Sequence, residues 1–180
     1  KKILFLAGMM ACCTWAGAQE ISKTWVADKG NGTYQNPVLH ADYSDPDVCA
    51  AGDDFYMTAS SFNCIPGIPI LHSNDLVNWS LVNYALPVQE PEEFFDKAQH
   101  GKGVWAPAIR FHNGEFYIYW GDPDYGIYMI KTKDPKGKWS KPVLVKAGKG
   151  MIDATPLWDE DGKVYLIHAY AGSRSGVNSI

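Results

Sequence analysis

A repeated pattern constrains the fold of this chain more than any single motif. Three times a proline is followed, nine or ten residues later, by a tyrosine in an apolar run that opens just after a turn. The copies run from Pro46 to Tyr56, from Pro107 to Tyr117 and from Pro156 to Tyr165. A recurring unit places equivalent residues in equivalent parts of the fold. The residues just ahead of the prolines are therefore expected to be related in space.

Strand signals dominate after residue 36. Apolar runs rich in β-branched and aromatic residues alternate with Gly, Asn and Asp turn signals, and no segment has sustained helical spacing of apolar residues. The runs cover residues 54–60, 68–73, 115–120, 127–132 and 164–168. The chain is therefore predicted to be all-β.

The repeat extends to a tryptophan at the end of each complete unit. Trp79 follows Tyr56 by 23 residues, and Trp139 follows Tyr117 by 22. The tyrosines are spaced by 61 and 48 residues, which suits β-propeller blades of roughly 40–50 residues before insertions. The polar stretch 89–103 is interpreted as an insertion loop. From residue 36 the chain is predicted to supply about two and a half blades.

Propeller geometry predicts where the candidate site lies. Each blade begins with a strand at the central channel, so residues at the starts of these inner strands converge on one face. Asp45, Trp105 and Asp153 are expected to meet there. Phe62 follows the first hairpin and Arg174 the third, so both are expected on the same rim, where they could contact substrate. Packing is the alternative for Trp105 and Phe62. Polar groups that converge in an aromatic-lined depression are typical of a ligand site.

Residues 1–18 are interpreted as a secretory signal peptide. A basic start is followed by an apolar run over residues 3–13 and by the small residues Ala16-Gly17-Ala18. A transmembrane helix is the alternative, but this run is too short for the ~30 Å of hydrocarbon in a bilayer. Export to the periplasm or the extracellular space is expected, with residues 19–35 as a lead-in to a propeller part over 36–180.

The net charge of the chain argues against nucleic acid as a partner. Removing residues 1–18 takes away two lysines, which leaves 14 basic and 20 acidic side chains, a net charge of −6 that argues against nucleic acid. Cys49 and Cys64 remain; export permits a disulfide, but two buried free thiols are the favoured interpretation. His72, His112 and His168 show no metal-ligand spacing. No cofactor or metal is predicted, and a structural calcium ion is left open.

Two carboxylates that converge on a sugar-sized pocket indicate glycosidic bond cleavage. One carboxylate can activate water while a protonated carboxyl group assists the leaving oxygen. Position in the repeat favours Asp45 and Asp153. Asp42 and Asp47 are the alternatives to Asp45. Strand alternation would put the side chain of Asp47 on the same side of the strand as that of Asp45. Pro46 and the turn that enters the strand leave this orientation open.

The order and spacing of several motifs between about residues 35 and 170 resemble glycoside hydrolase family 43. They include Asn36-Pro37-Val38-Leu39, Asp42-Tyr43-Ser44-Asp45-Pro46-Asp47-Val48, Gly103-Val104-Trp105-Ala106-Pro107 and Ile152-Asp153. The resemblance implies a five-bladed β-propeller. It also implies hydrolysis, with inversion at the anomeric carbon, of arabinose- or xylose-containing plant glycans by an α-L-arabinofuranosidase or β-xylosidase.

The resemblance also implies residue roles. Asp45 matches the general base that deprotonates the attacking water, and Asp153 matches the aspartate that adjusts the pKa of the catalytic acid and holds that acid in place. Trp105 matches an aromatic residue of the sugar subsite. The general acid of the family is a glutamate in a Glu-Gly-Pro-like motif, which this sequence lacks. It is expected beyond residue 180, so the fragment alone is expected to be inactive.

Two other functions remain open. Five-bladed fructosidases also place an aspartate beside proline on the first inner strand, but as a nucleophile in an Asn-Asp-Pro-Asn setting. Ser44-Asp45-Pro46-Asp47 departs from that setting. A propeller that only binds glycans or proteins is the second alternative. Such a protein has no need for two acids at one channel mouth.

Overall fold

The computed structural model describes residues 24–63 and 65–176. The predicted signal peptide and Cys64 lie outside these residues. The first sheet contains β1 (Asp47–Ala51), β2 (Asp54–Thr58), β3 (Gly67–Ser73) and β4 (Ser80–Leu86). The second contains β5 (Trp105–His112), β6 (Glu115–Asp122), β7 (Gly126–Thr132) and β8 (Val143–Ala147). β9 (Met151–Trp158) and β10 (Val164–Tyr170) form a two-stranded sheet.

All strand pairs are antiparallel, and each four-stranded sheet follows chain order. This is the meander of a propeller blade. The described residues thus hold two blades and the first hairpin of a third. This confirms the predicted all-β fold and the predicted number of about two and a half blades. The predicted insertion loop contains the single-turn helix α1 (Glu92–Phe95), and a second such helix, α2 (Gly172–Ser175), follows β10. No helix in the described ranges is long and apolar enough to cross a membrane.

Strand register corrects the equivalence inferred from the prolines. The repeated tyrosines pair with inner-strand residues as Tyr56 with Cys49, Tyr117 with Arg110 and Tyr165 with Leu157. In each blade one residue lies four positions before this inner-strand partner. These residues are Asp45, Ala106 and Asp153. Ala106, not Trp105, is therefore the second-blade equivalent of the two aspartates. Pro156 lies two residues later in its blade than the prolines of the other copies, so the proline itself does not mark a fixed position.

Apolar packing holds the blades together along their faces. The main core lies between the first and second blades and includes Ile70, Ile109, Trp120 and Trp139, the tryptophan that ends the second repeat unit. A smaller core, built on Ile127, Met151 and Ala154, joins the second blade to the third. The inner strands β1, β5 and β9 are neighbours in that order. Their starting residues consequently lie around one mouth of the channel.

Gly121 allows β6 to approach β9 closely. A Cβ atom there would lie 2.5 Å from the carbonyl oxygen of Met151 and 2.7 Å from Cα of Ile152. We expect Gly121→Ala to push β9 outward and to lower the free energy of unfolding of the full-length protein by about 2–3 kcal/mol. Gly114→Ala is the control, because open space surrounds that glycine and only its positive φ adds a cost, about 1 kcal/mol. Equal losses in denaturant titrations would contradict the steric explanation.

Candidate active site

Hairpin connectivity gathers the candidate residues on one rim of the channel. Because the first two strands of each blade form an antiparallel hairpin, the first strand starts where the second one ends. Asp45 precedes β1, Trp105 begins β5 and Asp153 is the third residue of β9. Phe62 follows β2, and Arg174 lies in α2 after β10. The structure thus brings all five candidates to the same edge of the blades.

Each inner strand has a residue in the left-handed region of the backbone within two positions of its first residue. The φ angle is 51° at Asp45, 39° at Ala106 and 54° at Asp153. Such a conformation costs about 1–3 kcal/mol for a residue other than glycine, and it clusters at functional sites. The same local bend therefore recurs in three blades, and two of the three positions carry a carboxylate.

Two hydroxyl groups orient the carboxylate of Asp45. Ser44 Oγ and Ser60 Oγ donate hydrogen bonds to its Oδ2 at 2.9 and 2.7 Å. Ser60 Oγ also accepts a hydrogen bond from the backbone N–H of Ala106 at 2.9 Å. Ser60 thereby links the first inner strand to the second. Asp45 remains exposed to solvent, so its carboxylate is oriented and still accessible to a ligand.

Asp153 lies close enough to Asp45 to respond to its charge. Although the residue as a whole is exposed, burial of its carboxyl group raises the pKa of Asp153, and the negative charge of Asp45 raises it further. Like charges at short range disfavour a second ionisation. The negative charge of Asp45 thus acts on the ionisation of Asp153 at the channel mouth.

Asp47, an alternative to Asp45, has a structural contact instead. Its Oδ2 accepts a hydrogen bond from the backbone N–H of Ile109 at 2.7 Å and forms an ion pair with Arg110. Arg110 Nη2 in turn donates to Thr155 Oγ1 at 2.9 Å. This chain of contacts joins β1, β5 and β9, so Asp47 holds the three inner strands together.

The aromatic and cationic candidates form one cluster beside the aspartates. The rings of Phe62 and Trp105 meet edge to face with centroids 6.3 Å apart. The guanidinium carbon of Arg174 lies 6.0 Å from the centre of the Trp105 ring. Reciprocal backbone hydrogen bonds of 3.0 and 3.2 Å between Ser61 and Val104 bring the two aromatic residues together. This cluster forms an aromatic wall with a fixed cation on it.

Ser60 and Asp124 also lie on this rim, whereas Arg110 lies further along β5; none of the three is predicted above as a site residue. Ser60 could have been found, because it closes the hairpin that begins at Asp45. Asp124 lies in the segment 122–126, whose Asp-Pro-Asp-Tyr-Gly sequence is typical of a turn. The segment is a turn, with the Tyr125 N–H donating to the Asp122 carbonyl at 3.1 Å. Its two carboxylates, however, have partners in distant segments.

Asp122 is the buried member of that turn. It is 1% exposed, and burial raises its pKa to about 6, with the nearby charge of Asp124 adding to the effect. Between pH 4 and 6 the folded state binds more protons at Asp122 than the unfolded state, so stability falls as pH rises through that range. By pH 7 the loss is about 3 kcal/mol.

We therefore expect the Asp122→Asn protein to lose less stability between pH 4 and pH 7 than the wild type. Asparagine stays neutral and its amide oxygen can still accept the hydrogen bond that Asp122 receives from the Asp124 N–H. Denaturant titrations of the full-length protein at several pH values provide the measurement. Parallel stability curves for the two proteins would show that the Asp122 carboxyl group is not responsible.

Two other sequence predictions concern thiols and metals. The Cys49 thiol is free, and burial raises its pKa to about 12, which makes it unreactive. The disulfide alternative would pair Cys49 with Cys64, which lies outside the described residues. Within residues 24–63 and 65–176, no group of three His, Cys, Asp or Glu side chains has the arrangement of a metal site.

Known proteins share this sequence pattern and fold. The profile of the family described as Glycosyl hydrolases family 43 matches residues 34–180. A beta-xylosidase of Formosa agariphila is 38% identical over 166 residues, covering 87% of this chain and 28% of that protein. A non-reducing end alpha-L-arabinofuranosidase of Bacteroides ovatus is 37% identical over 139 residues, covering 75% and 26% of the two chains. A solved family 43 protein of Bacillus licheniformis superposes with a TM-score of 0.66 at 32% identity. The superposition covers 76% of this chain and 29% of that one.

The chain thus spans about a quarter of the length of these curated relatives. The matched region includes both repeat aspartates, the aromatic cluster and all ten strands of the two and a half blades. Profile, relatives and fold agree with the resemblance seen in the motifs. The chain belongs to glycosyl hydrolase family 43.

Proposed function

We propose that the full-length protein hydrolyses O-glycosidic bonds at xylose or arabinose residues of plant-type glycans, with inversion at the anomeric carbon. The observation that carries this proposal is that Asp45 and Asp153 occupy equivalent strained positions on inner strands that meet at one mouth of the channel. The names of the relatives, beta-xylosidase and alpha-L-arabinofuranosidase, support the substrate class.

In the proposed mechanism Asp45 is the general base. Its ionised carboxylate, oriented by Ser44 and Ser60, takes a proton from a water molecule as the water oxygen attacks the anomeric carbon. The glycosidic bond breaks on the opposite face of the sugar, and a general acid protonates the departing oxygen. That acid is expected in the part of the protein that follows residue 180.

Asp153 is proposed to act on this general acid through its charge. A nearby carboxylate disfavours ionisation of the acid and keeps it protonated near neutral pH. The charge of Asp45 acts on Asp153 at the channel mouth, and the expected general acid would be the third acidic group there.

The aromatic cluster is proposed to hold the sugar ring. The faces of Trp105 and Phe62 suit the C–H surface of a pyranose or furanose, and Arg174 carries N–H donors for sugar hydroxyl groups. The signal-like residues 1–18 support a further proposal, that the protein is exported to the periplasm or the extracellular space, where such glycans are available.

The stereochemistry of the first product tests the proposal. Full-length protein is incubated with aryl β-xyloside and aryl α-L-arabinofuranoside, and proton NMR follows the anomeric configuration of the released sugar before it mutarotates. Inversion is expected for at least one substrate. Retention would exclude the inverting mechanism and favour a fructosidase-like nucleophile. Binding of the pentoses without turnover would favour a glycan-binding propeller.

A further inference from the structure

The turn between β6 and β7 carries a carboxylate with no role in the proposed chemistry. Asp124 Oδ1 accepts a hydrogen bond from Arg174 Nη1 at 2.7 Å, and its Oδ2 lies 3.3 Å from Lys102 Nζ. The side chain of Asp124 is only 27% exposed. One carboxylate of the second blade therefore holds two cations, one from the insertion loop and one from the third blade.

Both cations lie against aromatic rings. Lys102 Nζ is 4.9 Å from the ring centre of Phe94, whereas the Arg174 guanidinium lies over Trp105. The indole N–H of Trp105 is buried and has no hydrogen-bond acceptor among the described residues. The orientation of this ring consequently depends on its contacts with Phe62 and Arg174, and the position of Arg174 depends on Asp124.

The backbone around Asp124 is fixed on both sides. Its N–H donates to the buried Asp122 Oδ1 at 3.0 Å. The N–H of Gly150 donates to the Pro123 carbonyl, and the carbonyl of Gly150 accepts from the Ala171 N–H, both at 2.7 Å. Gly150 thus connects the turn that carries Asp124 to the start of α2, which carries Arg174. A Cβ atom on Gly150 would lie 2.4 Å from Ser175 Cβ, so this close contact requires glycine.

The charge on Asp124 is stable under the conditions in which the site works. Burial raises the pKa of its carboxyl group, but Lys102 and Arg174 outweigh burial and hold the pKa below its usual range. Asp124 is therefore ionised near neutral pH. A partly buried, charge-assisted pair is stronger than a neutral hydrogen bond.

We propose that Asp124 is a positioning residue that holds the Arg174 guanidinium against Trp105, and that it thereby sets the affinity of the sugar site without touching the reacting atoms. The inference rests on the proposed function. A free arginine side chain loses rotamer entropy when it is ordered. With Arg174 ordered in advance, less of the binding energy of the glycan is lost, and the N–H groups that do not bond Asp124 can meet sugar hydroxyl groups.

The test uses the full-length protein and the aryl pentoside that it hydrolyses. Asp124→Asn is expected to raise KM about tenfold and to change kcat less than about twofold, because uniform binding is lost and chemistry is retained. Arg174→Gln is expected to have the same effect. The double variant should resemble either single variant, since the two residues act as one unit. Asp124→Glu keeps the charge and should raise KM less than Asp124→Asn.

Lys102→Met is the matched control, because it removes the other cation from Asp124 and leaves the pair with Arg174. Its KM should stay within about twofold of the wild type. Thermal unfolding identifies any variant that fails to fold, in which case Asp124→Glu and Arg174→Lys provide the comparison. Additive effects of Asp124→Asn and Arg174→Gln, or an equal rise in KM for Lys102→Met, would overturn the inference.

The same experiment separates this inference from the proposed function. If the wild type hydrolyses the substrate but Asp124→Asn leaves KM unchanged, the inference fails and the proposed function stands. If the wild type lacks hydrolysis but binds xylose or arabinose in calorimetry, the proposed function fails. The inference then predicts that Asp124→Asn raises the Kd for that sugar about tenfold. A wild type that neither hydrolyses nor binds these sugars would overturn both.

Discussion

Replacing Asp45 by asparagine is expected to lower kcat of the full-length protein on its aryl pentoside by about 10³-fold, with little change in KM. The amide oxygen can still accept the hydrogen bonds from Ser44 and Ser60 that orient the side chain. It cannot accept the proton of the attacking water. Loss of a general base typically removes a factor of about 10²–10⁴ in rate.

Asp42→Asn and Asp47→Asn are the comparisons for Asp45→Asn. Asp42 is an exposed carboxylate three residues earlier in the chain, and its replacement should change kcat less than about twofold. Asp47 forms the ion pair with Arg110, so its replacement should lower the free energy of unfolding rather than the rate of the chemical step. Activity of Asp45→Asn near that of the wild type would remove Asp45 from the role of base.

The second large effect is expected from Asp153→Asn. Loss of its negative charge should lower the pKa of the general acid, because a like charge no longer disfavours ionisation. The acid is then deprotonated at a lower pH. The alkaline limb of the kcat profile should move to lower pH, and kcat at neutral pH should fall about 10–100-fold.

Leaving-group dependence gives a specific control for Asp153→Asn. An aryl group with a low pKa departs without protonation, so its glycoside should be affected much less than one with a poor leaving group. A merely structural role for Asp153 would reduce the rates of both substrates equally and would leave the pH profile in place. Equal losses would therefore contradict the proposed action on the general acid.

Much of the fold was accessible from sequence because local signals and the repeat agreed. The apolar run at residues 127–132 became β7 (Gly126–Thr132), and the run at 164–168 became the start of β10 (Val164–Tyr170). Hairpin turns between these runs determined that the meander is antiparallel. The strand boundaries, by contrast, shifted by one or two residues, since cross-strand hydrogen bonds rather than composition determine where pairing ends.

The candidate site was predictable only in part. Topology alone required Asp45 and Asp153 to start their inner strands, and it required Phe62 and Arg174 to follow the second strands of theirs. The pairing of Asp47 with Arg110 was not predictable, because a local strand pattern does not reveal which carboxylate meets a cation 63 residues away. The pairing of Asp124 with Arg174, 50 residues apart, escaped prediction for the same reason.

The sequence by itself determined the propeller class, the extent of the blades and the family, because these depend on periodic signals that are local or repeated along the chain. The tertiary structure alone decided which repeat positions are equivalent. Register against the tyrosines moved the second-blade position from Trp105 to Ala106, since hydrogen-bonded pairing, and not the distance to a proline, fixes a residue in a sheet. The tertiary structure also decided which carboxylates stay accessible to a ligand, because charge pairing between blades exists only after the chain has folded.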